Sequence, residues 1–255
     1  MEDDSSYRSK LLKGHTAEEI RNRLSRPQRH SYLRDFIYGA VDGTVTTFAV
    51  VSSVAGAGLS TGVVIIMGLA NLLGDGFSMA ISNYLGTRAQ EQELDWVRKN
   101  ELRHINVYPE GEREEVRQIF ANKGFEGEEL ESAVRVVTSD VEEWIDTMVR
   151  EEFGLSTEMP NAWKAGLVTF IAFFSIGILP VLPFIAFAYL PDIEISPYSL
   201  SAGMTALAFF SVGAAKALFL AQSWIRSGLE TLAVGSIAAG LAYLAGMWLK
   251  GIVSL

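Results

Sequence analysis

Five long apolar stretches recur along the chain, at 36–57, 62–84, 165–190, 199–221 and 229–249. About 20 helical residues cross the roughly 30 Å hydrocarbon core of a bilayer, so each stretch predicts a transmembrane helix. Between the second and third lies a segment of opposite character. Residues 85–164 hold 10 Lys/Arg and 19 Asp/Glu, a balance of −9 that equals the net charge of the whole 255-residue chain. This segregation reconciles a mean hydropathy of +0.22 with 20% charged residues. The expected fold is all-α and polytopic, with five transmembrane helices and a three-helix domain inserted between spans 2 and 3. The expected segments are an N-terminal stretch 1–35, spans 1 and 2 over 36–84, the insert over 85–164, and spans 3 to 5 over 165–255.

Basic residues give the expected orientation. Eight Lys/Arg precede the first span and ten lie in the insert, whereas Lys216, Arg226 and Lys250 are the only three in the rest of the chain. The positive-inside rule then places the N-terminus and the insert in the cytoplasm and the C-terminus outside. The first 35 residues carry eight basic and six acidic side chains and no apolar core. That order is wrong for a cleavable secretory signal, so the N-terminus is expected to be retained. Thr16 followed by Glu19 resembles a capping box opening a short amphipathic helix with Ile20 and Leu24 on one side, expected to rest on the membrane or on the insert.

The insert reads as helical. Leu130, Val134, Val137, Val141, Ile145 and Met148 recur every three or four residues, and Val116, Ile119 and Phe120 do so over a shorter run. Gly124 and Gly127 bracket the turn between these two helices, and Pro109 marks the one before them. Residues 88–104 follow the second span without Gly or Pro, which predicts one continuous helix projecting from the membrane.

The chain has no cysteine, so a bound metal would be held by carboxylates, His or Met sulfur. Asp42 in the first span and Asp75 in the second are acids in apolar helices, each costing roughly 2.5–3.5 kcal/mol at mid-membrane, and such residues face a cavity or a partner. Asp42 lies between Gly39 and Gly43, which allow another helix to approach closely. Met79 follows one turn beyond Asp75, and a carboxylate with a thioether suits a borderline transition metal. In the insert Glu101 and His104 lie three apart, Glu112 and Glu115 three apart, and Met148 and Glu152 four apart, so each pair shares one helical face. Three such faces meeting would surround a hydrated divalent ion with oxygens, an imidazole and a sulfur. Bland readings stay open for each residue singly: an interfacial acid for Asp42, packing for Met79 and Met148, a solvated face for the glutamates and a surface histidine for His104.

Two runs carry a resemblance. Arg34-Asp35-Phe36-Ile37-Tyr38-Gly39-Ala40-Val41-Asp42-Gly43 opens the first span, and Gly76-Phe77-Ser78-Met79-Ala80-Ile81-Ser82-Asn83-Tyr84-Leu85 closes the second. Followed by an acidic helical insert and three spans, they make the chain similar to the vacuolar iron transporter family and its prokaryotic members, from about Arg34 to the C-terminus. The resemblance implies a homodimer whose first spans line a central pathway, with Asp42 and Met79 as pathway ligands and Asp35 near the cytoplasmic entrance. It implies that Fe²⁺, often Mn²⁺, leaves the cytosol in exchange for protons, with the metal as substrate and no permanently bound cofactor. It also implies a cytoplasmic metal-binding domain using Glu101, Glu112, Glu115, Met148 and Glu152. His104 stands where the family pattern has a further Glu, which removes a negative charge and adds sensitivity near pH 6 to 7. Asn83 stands where relatives often have Gly-Glu before the aromatic residue. Asn71 replaces an acid found in some relatives, with Asp75 one turn away as the expected substitute. Compact loops and this resemblance suggest a prokaryotic plasma membrane. The expected partners are divalent ions, protons, lipid and a second copy, with no nucleic acid. Alternatives are a membrane-anchored metal sensor or storage partner that binds without flux, and a purely structural membrane protein. An enzyme is disfavoured, because no His-Glu-x-x-His or Ser/His spacing occurs.

Overall fold

The computed structural model describes residues 8, 11–12, 14–25, 31–190, 194–220 and 222–253, and no strand occurs among them. The chain forms two compact units, Met1–Ser31 and Tyr32–Leu255. In the first unit the helix α1 spans Ala17–Leu24, and Thr16 caps it by accepting from the Glu19 amide at 3.2 Å. The acids Glu18 and Glu19 occupy the first turn and Arg21 and Arg23 the last, the arrangement the helix dipole favours.

The second unit begins with α2, Leu33–Ala57, which stops at Gly58 with φ of +68°. The amides of Gly58 and Leu59 bond back to Ala55 and Val54, closing the helix with the left-handed turn that glycine adopts without strain. Helix α3, Thr61–Val107, runs 47 residues without interruption. At 1.5 Å per residue it is about 70 Å long, more than twice the hydrocarbon thickness of a bilayer. The expected continuous helix projecting beyond the second apolar stretch is therefore present.

Past α3 come α4 (Pro109–Asn122), α5 (Gly127–Val137) and α6 (Val141–Glu151). Pro109 starts α4 at a position where its missing N–H costs nothing. Gly124 and Gly127 take positive φ in the turn that follows. The apolar period over 130–148 suggests one helix, but the structure has two. The Asp140 carboxylate accepts from the Glu142 and Glu143 amides and starts a new helix there. The insert is thus the far part of α3 plus three short helices, rather than three helices in all. Its core joins Leu94, Val97 and Ile105 of α3 to Val116, Val134, Trp144, Ile145, Met148 and Val149. Arg98 clasps Asp146 and Glu142 across α3 and α6.

The apolar part of the unit contains α2, α3, α7 (Ala162–Gly177), α8 (Leu182–Tyr189), α9 (Pro197–Leu220) and α10 (Trp224–Val253). Among the described residues four helices are long and apolar enough to cross a membrane, and α7 with α8 makes a fifth if that pair, bent by 52°, is one span. The third apolar stretch is therefore broken where continuity was expected. Pro180 and Pro183 lack the amides that an unbroken helix requires. The buried Ser201 hydroxyl donates to the Pro180 carbonyl at 2.6 Å, satisfying a group that the break leaves without a helical partner.

The close approach expected at Gly39 and Gly43 is made by α7. A Cβ at either position would lie 2.4 Å from a backbone oxygen, that of Thr169 or Phe173. These glycines let the backbones of α2 and α7 touch and set the position of Asp42 between them in sequence.

Candidate metal site and polar membrane residues

Glu101 and His104 stand one turn apart near the far end of α3, and Glu112 comes from the first turn of α4 after the tight turn at Tyr108. The His104 Nδ1 lies 3.5 Å from a Glu101 oxygen and 3.4 Å from a Glu112 oxygen. One ligand atom from each residue falls within 4.8 Å of the others. Glu101 is only 1% exposed and Glu112 6%. The second carboxylate oxygen of each is buried with no hydrogen-bond partner among the described residues. A buried unpaired charge of this kind is costly, and the other oxygen of each carboxylate lies beside the imidazole, a donor set suited to a divalent transition metal.

Electrostatics extend the group. Burial, then the negative charges of Glu112 and Glu152, push the Glu101 carboxyl up to about 7. Burial and Glu115 raise Glu112, while His104 opposes them. Partial burial, Glu115 and Glu112 raise Glu152. Glu115 and Glu152 are therefore coupled to the central three although both are exposed. Met148 is fully buried in the insert's apolar core with Ile105 and Val116, which fits the packing reading of that residue. Asn100, which the sequence reading overlooked, places its amide nitrogen 3.1 Å from His104 Nε2. The amide nitrogen can only donate, so in this contact Nε2 accepts and Nδ1 carries its proton toward the two carboxylates. The signal for Asn100 was an Asn four residues before a His on one helical face.

Within the spans, Asp42 is half-buried on α2, while Asp75 is exposed and Met79 half-buried one turn apart on α3. Asn71 of α3 donates to the Thr46 hydroxyl of α2 at 3.2 Å, and Thr46 donates in turn to the Asp42 carbonyl at 2.9 Å. A polar chain thus ties α3 to the backbone of Asp42. At the other end of the span, Asn83 donates to the Asp35 carboxylate at 2.9 Å and to the buried Thr169 hydroxyl at 2.8 Å. One amide therefore joins α2, α3 and α7. Thr169 had no part in the sequence reading because a lone Thr in an apolar helix carries no signal.

Comparison with known proteins decides the family. The VIT family model matches residues 33–247, from the first residue of α2 into α10. This chain belongs to the VIT family. The vacuolar iron transporter 1 of Arabidopsis thaliana is 31% identical over 212 residues, covering 83% of each chain. The vacuolar iron transporter of Toxoplasma gondii is 30% identical over 229 residues, covering 87% of this chain and 76% of the relative. That of Centaurea cyanus is 27% identical over 236 residues, covering 90% and 95%. VIT family members are transporters rather than enzymes, and the candidate spans make this member a multi-pass membrane protein.

Proposed function

We propose that this VIT family member exports Fe²⁺, and Mn²⁺ with it, from the cytosol in exchange for protons. The names of its relatives support iron as the cargo. The observation that carries the reading for this chain is the Glu101–His104–Glu112 group with its two buried, unpartnered oxygens. In the proposed cycle the acidic insert raises the local concentration of divalent cations on the cytoplasmic side. The ion is held by Glu101, His104 and Glu112, with Glu115, Glu152 and Met148 adjoining. It then passes Asp35 at the entrance and reaches Asp42, Asp75 and Met79 within the five spans, at an interface between two copies. Protons returning onto the carboxylates release it. The raised Glu101 carboxyl supports this order, because an acid held up to about 7 exchanges a proton for a metal ion near neutral pH.

The test is uptake of Fe²⁺ and Mn²⁺ into proteoliposomes holding the purified protein, with and without an imposed pH gradient. Flux should follow the gradient and fall at least about tenfold in Asp42→Asn. Undiminished flux in that variant would sink the proposed pathway. Metal binding without flux in the wild type would favour a membrane-anchored sensor.

A further inference from the structure

On the outer surface of α3 and α7 lies an apolar cavity of about 180 Å³, lined among others by Phe77, Ile81, Tyr84, Trp163, Leu167 and Phe170. These residues come from α3 just before it projects beyond the apolar stretch and from the opening turns of α7. The cavity therefore sits at the end of the spans nearest the inserted helices. Successive residues turn by about 100° round a helix, so Phe77, Ile81 and Tyr84 occupy a stripe roughly opposite Asp75 and Met79. The acid and the thioether face one way and the cavity the other.

Its rim has the chemistry of a membrane boundary. The Tyr84 and Trp163 rings meet edge to face with centroids 6.1 Å apart, and such amphipathic rings concentrate at headgroup depth. Arg88 follows Tyr84 by one turn on the same stripe, is about half exposed and pairs with Glu91 at 2.7 Å. Glu91 also accepts from the Ala162 amide at the start of α7. Lys164, next to Trp163, is exposed and has no side-chain hydrogen bond or ion pair among the described residues. An apolar hollow with Arg88 one turn beyond its lining on α3 and Lys164 beside Trp163 in the opening turn of α7 is complementary to an amphiphile with a hydrocarbon tail and an anionic head. In size the hollow is comparable with engineered apolar cavities of roughly 150 Å³ that stay dry and admit benzene.

We propose that this cavity is a phospholipid site: it takes one acyl chain of an anionic lipid from the leaflet on the side of the inserted helices, and Arg88 and Lys164 hold the phosphate. The chain lies between α3 and α7, where Gly166 leaves no room for a side chain against the Ala80 carbonyl, and fills the gap outside that contact. Glu91, and Asp95 one turn beyond it, temper the positive charge of Arg88, so the phosphate is held by direct contact with the two basic groups rather than by a net charge at the rim. Each basic side chain at an anionic lipid surface strengthens binding about fivefold.

The experiment is native mass spectrometry of the full-length protein in detergent, titrated with phosphatidylglycerol and with phosphatidylcholine bearing the same chains. The wild type should retain one phosphatidylglycerol about tenfold more tightly than phosphatidylcholine. Arg88→Gln with Lys164→Gln, both on the exposed rim, should bring the two lipids level, and Leu167→Trp, which fills the cavity, should remove the tightly held adduct of either. In bilayers, dibrominated phosphatidylglycerol should quench more fluorescence from the wild type than from Trp163→Phe. Phosphatidylglycerol retention unchanged in both the rim and the cavity variants overturns the proposal. So does an unquenched Trp163 in the reconstituted protein, the result expected if a second copy of the chain covers the cavity.

Discussion

Glu101 and Glu112 each bury an oxygen; while Glu101 keeps its proton it can donate to Glu112, and once both are ionised the cluster opposes folding unless a cation is bound. A carboxyl raised from 4.5 to about 7 binds more protons in the folded protein than in the unfolded one. The metal-free protein therefore loses stability as pH rises from about 4.5 to about 7, and the loss persists above that. Glu101→Gln should raise the metal-free Tm at pH 8, flatten its dependence between pH 5 and 8, and weaken Mn²⁺ binding by tenfold or more. Thermal unfolding at pH 5, 6, 7 and 8, with and without Mn²⁺, reads all three. An Mn²⁺-induced Tm shift as large as that of the wild type would rule Glu101 out as a ligand. Asn100→Ala removes the donor that holds the His104 proton on Nδ1, so Mn²⁺ affinity should not fall and the metal-free Tm should be nearly unchanged. A loss of about tenfold would mean that Asn100 turns its amide oxygen to an Nε2–H and so positions Nδ1 as a ligand. The central three residues were legible because two share a helical face and the third follows a turn marked by Pro109. Asn100 was not, because an uncharged residue on an exposed face resembles any other.

Helix ends tell a different story from helix faces. Val137 and Val141 lie four apart on either side of the α5–α6 turn, so the apolar rhythm runs through the break without a missed beat. What ends the helix is polar: Ser139 donates to the Val136 carbonyl and Asp140 caps the next helix, local bonds that compete with continuation. Asp140→Ala should cost about 1 kcal/mol, visible as a lower Tm of the metal-free protein. The α7–α8 break was written in Pro180 and Pro183, but hydropathy alone joins them into one span. At the Asn83 junction, Asn83→Ala leaves Asp35 without its donor. Thr169 keeps its bond to the Ala165 carbonyl, so the loss falls mainly on Asp35. The variant should be less stable by about 1–3 kcal/mol and reduce flux, with Mn²⁺ affinity at the insert unaltered. An equal fall in affinity would mean that the junction supports the whole fold rather than the proposed entrance at Asp35.

In the whole molecule the helix that carries Asp75 and Met79 also carries Glu101 and His104, so the two groups are held apart by an unbroken rod. From Tyr84 to Glu101 is about 25 Å at 1.5 Å per residue. A fixed separation keeps the acidic cluster at one distance from the spans; on the proposed function it would give a steady local concentration of captured cation at their mouth, whereas a flexible tether would spread it over a larger volume. Gln90 and Gln92 are exposed on α3 within this stretch. Replacing both by glycine preserves length and register and weakens the helix by about 1 kcal/mol at each position. The variant should bind Mn²⁺ at the insert as the wild type does. In proteoliposomes it should show a higher KM for Mn²⁺ with a nearly unchanged maximal rate, because the spans are intact and only delivery is impaired. A wild-type KM would show that the insert works independently of the rod. A lower maximal rate with unchanged KM would instead place the motion of α3 within the transport step itself.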